Sequence, residues 1–446
     1  MASTYLTRTP SSGGNRKTFT ISAWFKKCKL GSNQILVQAA TDGSTRSQIT
    51  LRSDDAIEFY SENGGVTKIN LKTNRLFRDI NAWYHIVVAI DTTQGTNTNR
   101  AKLYINGVQE TSLATATYPD QNYDTQFNHT VAHTIGRRDA YGDMYFEGIV
   151  SHFHLVDGSA LAPTVFGSTD STTGEWKINT GPSYTVGTNG FFVLKDTNSG
   201  TDQSANTNNL TVNGTLTKTE DCPSNVFCTL NTLVGFREGT GTQHENAPTY
   251  SNGNTKYTKS QATWSTQACT LGASSGKYYW EAKMENNGGD PRMYIGVVDA
   301  QYLNDARGHT TGNTTNGVGY NSHNGSSYVS GTTNNSYGNS FTSSHTVGCA
   351  LDLDNHKIYF HKDGTWQNSG VPTSGSTGTG AISLTTGRTY LPSFTIHNSG
   401  CLANFGNGYF GTTAVSSAGT NASNLGIFEY DVPTGYTALC TKGLNE

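Results

Sequence analysis

One stretch constrains the fold more than any other: residues 346–366, TVGCALDLDNHKIYFHKDGTW. Val347, Cys349, Leu351 and Leu353 alternate with Gly348, Ala350, Asp352 and Asp354, the period of two expected of a strand with one buried face. Asp354, Asn355 and His356 supply a turn. Ile358 and Phe360 then alternate with Lys357, Tyr359 and His361, and the run ends at Asp363-Gly364, a strong short-range hairpin signal. The pattern predicts two antiparallel strands and the start of a third.

Composition bounds what surrounds this hairpin. A chain of 446 residues exceeds one ordinary core, so two or three domains are expected. Charged residues make up 14%, against roughly 25% in an average soluble protein. The 50 glycines, with abundant Ser, Thr, Asn and Tyr, point to β-structure with long polar loops. A net charge of -3 offers no electrostatic argument for nucleic acid or an anionic membrane, whereas an Asn-rich surface suits polyhydroxylated ligands. The longest apolar run, residues 83–90, falls far short of the roughly 20 residues a bilayer span needs. The N-terminus MASTYLTRTPSSGG has no apolar core of a secretory signal, so synthesis in a cytoplasm without membrane insertion is expected. Seven cysteines without a CxxC pair read as small buried hydrophobes rather than a disulfide framework; Cys222 and Cys228 are the one pair close in sequence.

Taken in order, residues 18–26 (TFTISAWFK) alternate as a strand, and further strands are predicted at 34–39, 47–52, 56–61, 68–71, 82–91, 100–105 and 146–155. Turn clusters such as Asp42-Gly43 and Asn63-Gly64-Gly65 separate them. Many short strands with hardly any helical period argue for a β-sandwich. The ordered set TFTISAWFKK, AWYHIVVAID, RAKLYINGVQ, TIGRR and FEGIVSHFHLVDGSAL resembles the laminin G-like, or concanavalin-like, lectin sandwich over residues 1–165. Residues 166–250 read as a connector with extra strands near 190–195 and 209–216. In the second half GKYYWE, YIGV, CALDLDNHKIYFHKDG and LPSF resemble a SPRY domain, assigned to 251–412, with 413–446 as a C-terminal extension. The fold class expected is thus all-β: two antiparallel, jelly-roll-like β-sandwich domains joined by an extended β-containing connector.

The leader YLTRTPSSGGNRKTFT and the tail IFEYDVPTGYTALCTKGLNE resemble segments of marine, cyanophage-like tailed-phage virion proteins that carry these domains. This resemblance implies a virion surface protein: a tail-fibre or tail-appendage adhesin for a host glycan or receptor, or else a head or tail decoration protein. Its partners would be other virion proteins, a host-surface glycan or receptor, and further copies of itself, a trimer being one arrangement. Because the chain starts almost directly in its first lectin-like strand, attachment to the virion is expected through a sandwich face, the connector or the C-terminal tail.

No constellation points firmly to catalysis. His152 and His154 with Glu147 could suggest a metal site, but without further ligands at recognisable spacing they read as solvent-facing strand residues. Asp352 and Asp354 share a strand face and invite a two-carboxylate glycosidase reading, yet they lie in a turn-forming DLDN segment. The clustered acidic motif of lectin-fold hydrolases is absent, which leaves a glycan-degrading depolymerase as a minor alternative to a non-enzymatic protein. Binding through loops is the better reading. Residues 304–344 mix Tyr320, Tyr328 and Tyr337 with Asn, Ser, Gly and His, as adaptable paratopes do. Tyr320 is expected to face the core, leaving Tyr328, Tyr337, His323 and, past the hairpin, Trp366 as candidate ligand contacts. In the first domain the analogous candidates are Arg137, Arg138 and Tyr141, beside Asp42, Arg46 and Asp139. No cofactor is expected; laminin G-like domains often hold calcium at such a rim, but a full set of oxygen ligands cannot be matched here.

Overall fold

The computed structural model describes residues 4–195, 199–237, 248–259, 263–303 and 310–445. Among them there is no α-helix; the helical elements are short 3-10 turns, and every long element is a strand. The chain divides into two compact units, Met1–Lys218 and Thr219–Glu446. The segment 166–250 therefore splits, its first part completing one unit and its last part opening the other.

The first unit is a sandwich of two antiparallel sheets. One has eight strands in the spatial order Leu113–Thr117, Val66–Thr73, Ile57–Asn63, Arg46–Leu51, Gln34–Ala40, Ala132–Ile135, Tyr5–Arg8 and Thr211–Asn213. The other has six: Phe191–Val193, Gly148–Asp157, Thr18–Lys27, Trp83–Asp91, Ala101–Ile105 and Val108–Gln109. Alternate residues of both, such as Phe19, Ile21 and Phe25 against Ile49, Phe59 and Leu71, fill one continuous core. Beyond residue 166, Phe191–Val193 joins these sheets by pairing with Gly148–Asp157 and Thr211–Asn213 by pairing with Tyr5–Arg8, while Gly167–Thr169 and Trp176–Ile178 pair with each other.

The second unit repeats the architecture with different connections. Its seven-stranded sheet runs Leu230–Arg237, Ser265–Cys269, Tyr390–His397, Arg292–Asp299, Val318–Asn321, Ser327–Val329 and Thr332–Asn334. The opposing sheet centres on Lys277–Asn286, flanked by Ser399–Asn404 and by Thr346–Asp352, which pairs with Lys357–Lys362 as the predicted hairpin, in a register that sets Leu351 opposite Ile358. Val347, Cys349, Leu351, Ile358 and Phe360 point into the shared core as the alternation required.

The alternation predicted one buried face; in both units a sheet is buried on two. Strand Thr346–Asp352 is buried at every position. Its outer face, with Tyr279 and Tyr359, lies beneath Phe428, Val432 and Tyr436. Chain from 428 to 440 thus forms a clasp over the sheet, and its strand Thr437–Ala438 pairs in parallel with Tyr278 and Tyr279. In the first unit residues 161–192 do the same for the six-stranded sheet: Phe166 packs on Val87 and Val156, and Trp176 stacks on His85, which stacks in turn on Trp24. No disulfide links the seven cysteines, and all but Cys222 are buried. No helix among the described residues is long and apolar enough to cross a membrane.

Candidate functional site

In the first unit the residues singled out from sequence converge. Strand Ala132–Ile135 ends at Gly136, whose φ of 91° turns the chain away from the sheet and delivers Arg137 and Arg138 to the rim. The Arg137 guanidinium lies 3.6 Å above the Tyr5 ring and bonds Asp139 at 2.5 Å. Arg138 grips Asp143 through two bonds of 2.7 and 2.5 Å and covers Tyr141, its guanidinium carbon 4.3 Å from the ring centroid. Those Arg138 bonds hold the Asp143 carboxyl below its ordinary value. A 3-10 turn, Asp139–Tyr141, is tied to the central strand by the Asp139 N–H donating to Gln38 at 2.8 Å. Tyr141 is 61% exposed and leans over the Asp42-Gly43 turn so closely that a side chain at Gly43 would overlap its hydroxyl. Arg46, which anchors that turn through the Gly43 carbonyl, pairs with Glu62 at 2.9 Å.

This rim offers ring faces and paired charges. Each guanidinium is neutralised by a carboxylate, and each of those carboxylates already receives its donors from arginine. Asp42 is likewise engaged by the Ser44 amide and hydroxyl, at 2.7 and 2.9 Å. Among the described residues no group of three or more His, Cys, Asp or Glu is arranged to hold a metal ion.

In the second unit the sequence candidates separate. Tyr337 does not reach solvent: it is 2% exposed, its hydroxyl accepts the Phe360 N–H at 3.3 Å, and its ring meets Tyr320 and Phe360 edge-on. The polar sequence around it hid the fact that the loop folds back into the sandwich. Tyr320 is wholly buried, in line with its expected core position. Residues 304–309 of the same loop lie outside the described residues. His323 is exposed at the turn after Val318–Asn321, and Tyr328, partly buried, sits on the seven-stranded sheet with its ring edge-on to Tyr294. Trp366 belongs to the other sheet, edge-on to His361 at 5.0 Å and against the clasp. Tyr328 and Trp366 therefore face away from each other on opposite sides of the sandwich and cannot share one ligand.

The residues read as chemistry-bearing take structural places. His152 and His154 are not solvent-facing: both are buried, His154 stacked on Phe192 at 3.9 Å and bonded to the Tyr184 hydroxyl at 2.5 Å. Burial pushes His154 well below the ordinary imidazole value. Asp352 is fully buried, holding Lys277 at 3.0 Å and the Asn355 amide at 3.0 Å, and Asp354 accepts the Gly276 N–H at 2.7 Å. These carboxylates shape the hairpin turn.

Sequence reading missed Glu281, buried under the clasp. Its carboxylate accepts the Glu429 and Tyr430 amides at 2.8 Å each, the Tyr279 hydroxyl at 2.9 Å and the Asn404 amide at 3.3 Å. His361 completes the chain. Because its Nδ1 accepts the Gly364 N–H at 3.2 Å, Nε2 carries the proton and donates to the Tyr279 hydroxyl at 2.6 Å, directing that hydroxyl to Glu281. Even with these donors, burial raises the Glu281 carboxyl to about 7. The only signal in sequence was a lone glutamate among the apolar positions of KYYWEAKM.

Two family models match the chain, one in each unit. Residues 2–165 match the family described as the concanavalin A-like lectin/glucanases superfamily, and residues 277–407 match the SPRY domain. No curated protein matches the chain. Among solved structures, it is similar to a candidate carbohydrate binding protein from Bacteroides ovatus, at 16% identity over 47% of this chain and 56% of that chain, with a TM-score of 0.32. The match thus spans little more than half of the bacterial chain's own length. The SPRY domain of human HERC1 matches at 17% identity over 39% of this chain and 94% of that one, TM-score 0.28. Domains LG4-5 of the mouse laminin alpha1 chain match at 10% identity over 87% and 78%, TM-score 0.28. The chain thus carries a domain of the concanavalin A-like lectin/glucanases type over residues 2–165, followed by a SPRY domain over residues 277–407.

Proposed function

We propose that this protein is a non-catalytic adhesin on the surface of a tailed-phage virion, binding a host-surface glycan or receptor as part of a homo-oligomer and without a cofactor. The observation that carries the binding role is the rim of the first unit, where Tyr141 is 61% exposed beside two arginines whose charges are already met. Such a surface favours a neutral ligand that stacks on rings and exchanges hydrogen bonds with polar rim groups. The virion setting rests on the leader and tail sequences. Tyr141→Ala should lower adsorption of the purified full chain to host cells about tenfold while its melting temperature stays within a degree or two. Normal adsorption by particles lacking this protein would overturn the adhesin reading.

A second reading, a decoration protein that cements neighbouring subunits, is favoured by the exposed edge strands Leu113–Thr117 and Val108–Gln109, whose outer hydrogen-bonding groups could pair with another chain. It expects edge mutations to reduce incorporation into particles and leave adsorption unchanged.

A further inference from the structure

The outer face of the seven-stranded sheet carries a cluster independent of the Tyr141 rim. Trp264 stands just before strand Ser265–Cys269, Tyr294 lies in Arg292–Asp299, and Tyr328 in Ser327–Val329. In the sheet, Tyr390–His397 lies between the first two of these strands and Val318–Asn321 between the last two, with Tyr294 opposite Thr395 on one side and Asn321 on the other. Tyr294 is 6% exposed and forms a floor. On one side the Trp264 ring rises from it at 74° with centroids 5.6 Å apart; on the other Tyr328 rises at 63° and 5.4 Å. Both flanking rings remain partly open to solvent.

Polar groups rim this cleft. Arg292 donates to one oxygen of Asp290 from Nε at 2.9 Å and from Nη2 at 2.5 Å, leaving the other carboxylate oxygen to accept a further donor. His397 packs on Trp264 at 4.8 Å, and its Nδ1 donates to the Asp290 carbonyl at 3.2 Å, which leaves Nε2 as an acceptor. His323 is exposed and lies within electrostatic reach of Asp290.

The chemistry of the occupant follows from these groups. The described residues named in this cluster are aromatic, polar or charged, the aliphatic cluster of Ala268, Val298 and Leu391 being a separate one, and Arg292 and Asp290 neutralise each other, so the pair favours neither cation nor anion. Aromatic faces attract the weakly positive C–H bonds that line one face of a sugar ring, while a carboxylate, a guanidinium and an imidazole serve the hydroxyls at its edge. We infer that this cleft binds a neutral pyranose unit of a polysaccharide, stacked between Trp264 and Tyr328 with its hydroxyls toward Asp290 and His397.

The test is affinity electrophoresis of the full chain in gels cast with a β-glucan, a galactomannan, a dextran or an acidic alginate. At least one neutral polysaccharide should retard the protein, with Tyr328→Ala and Trp264→Ala each weakening the apparent affinity about tenfold and Trp264→Phe largely preserving it. Tyr328→Ala keeps the test decisive if Trp264→Ala fails to fold, as judged by thermal melting. Retardation by alginate alone, no retardation by any polysaccharide, or undiminished retardation of folded Tyr328→Ala would overturn the proposal. Tyr141→Ala separates the two sites: retardation lost in that variant but kept in Trp264→Ala supports the rim and sinks the cleft, and the reverse pattern does the opposite.

Discussion

At the scale of single residues, Glu281 is the most informative. Its carboxyl rises from 4.5 to about 7 on folding, so its contribution to stability is fully present below about pH 4.5 and is lost as pH climbs through 7. Denaturant midpoints of the second unit should therefore fall between about pH 5 and pH 8, and Glu281→Gln, which keeps the shape without a titrating proton, should flatten that slope; an unchanged slope would assign it to other groups. His85 has the opposite sign. Burial lowers it from 6.5 to about 3, so its contribution is present above pH 6.5 and is lost as pH falls toward 3. Trp176 donates to His85 Nδ1 at 3.0 Å, which makes its fluorescence the natural reporter: emission should shift to the red on acidification as the ring leaves its stack. Ordinary core positions behave as volume predicts. Leu351→Ala or Phe360→Ala, at sites 1% and 0% exposed, should cost about 2–5 kcal/mol in chemical denaturation.

At the scale of elements, the clasp and the 161–192 cover decide how far sequence could be followed. The hairpin was legible because the period of two survives in Val347, Cys349 and Leu351 whatever packs outside. The second buried face was not, because a residue facing a clasp looks the same in sequence as one facing water until the partner segment is known. Gly348 hints at it: a side chain there would collide with the His361 ring, which lies flat on the strand. So do Phe428, Val432 and Tyr436, apolar residues in a tail otherwise rich in Ser, Thr, Asn and Gly. The rim around Tyr141 was legible because charged and aromatic residues crowd one short loop, whereas the Trp264 cleft gathers residues from strands separated by dozens of positions. Removing residues 425–446 should expose Tyr279, Ala350 and Tyr359, and the shortened protein should bind a hydrophobic dye or aggregate. If it stays soluble, dye-free and melts normally, the clasp is dispensable.

At the scale of the whole molecule, the boundary at Lys218 predicts two independent folding units. Separate expression of residues 1–218 and 219–446 should give two soluble pieces, each with its own melting transition; failure of both would mean that the units need one another to fold. The parallel pairing of Thr437–Ala438 with Tyr278 and Tyr279 adds an asymmetry in time. During synthesis the first unit has all its strands once residue 213 emerges from the ribosome. The second lacks the parallel neighbour that completes the pairing of Tyr278 and Tyr279 until residue 438 has emerged, and at about 5–20 residues per second that interval is on the order of ten seconds or more. A ribosome that stalls short of Ala438 would leave a finished lectin-like unit trailing an open, protease-sensitive second one, so synthesis through Ala438 is itself the checkpoint for the second unit's closure.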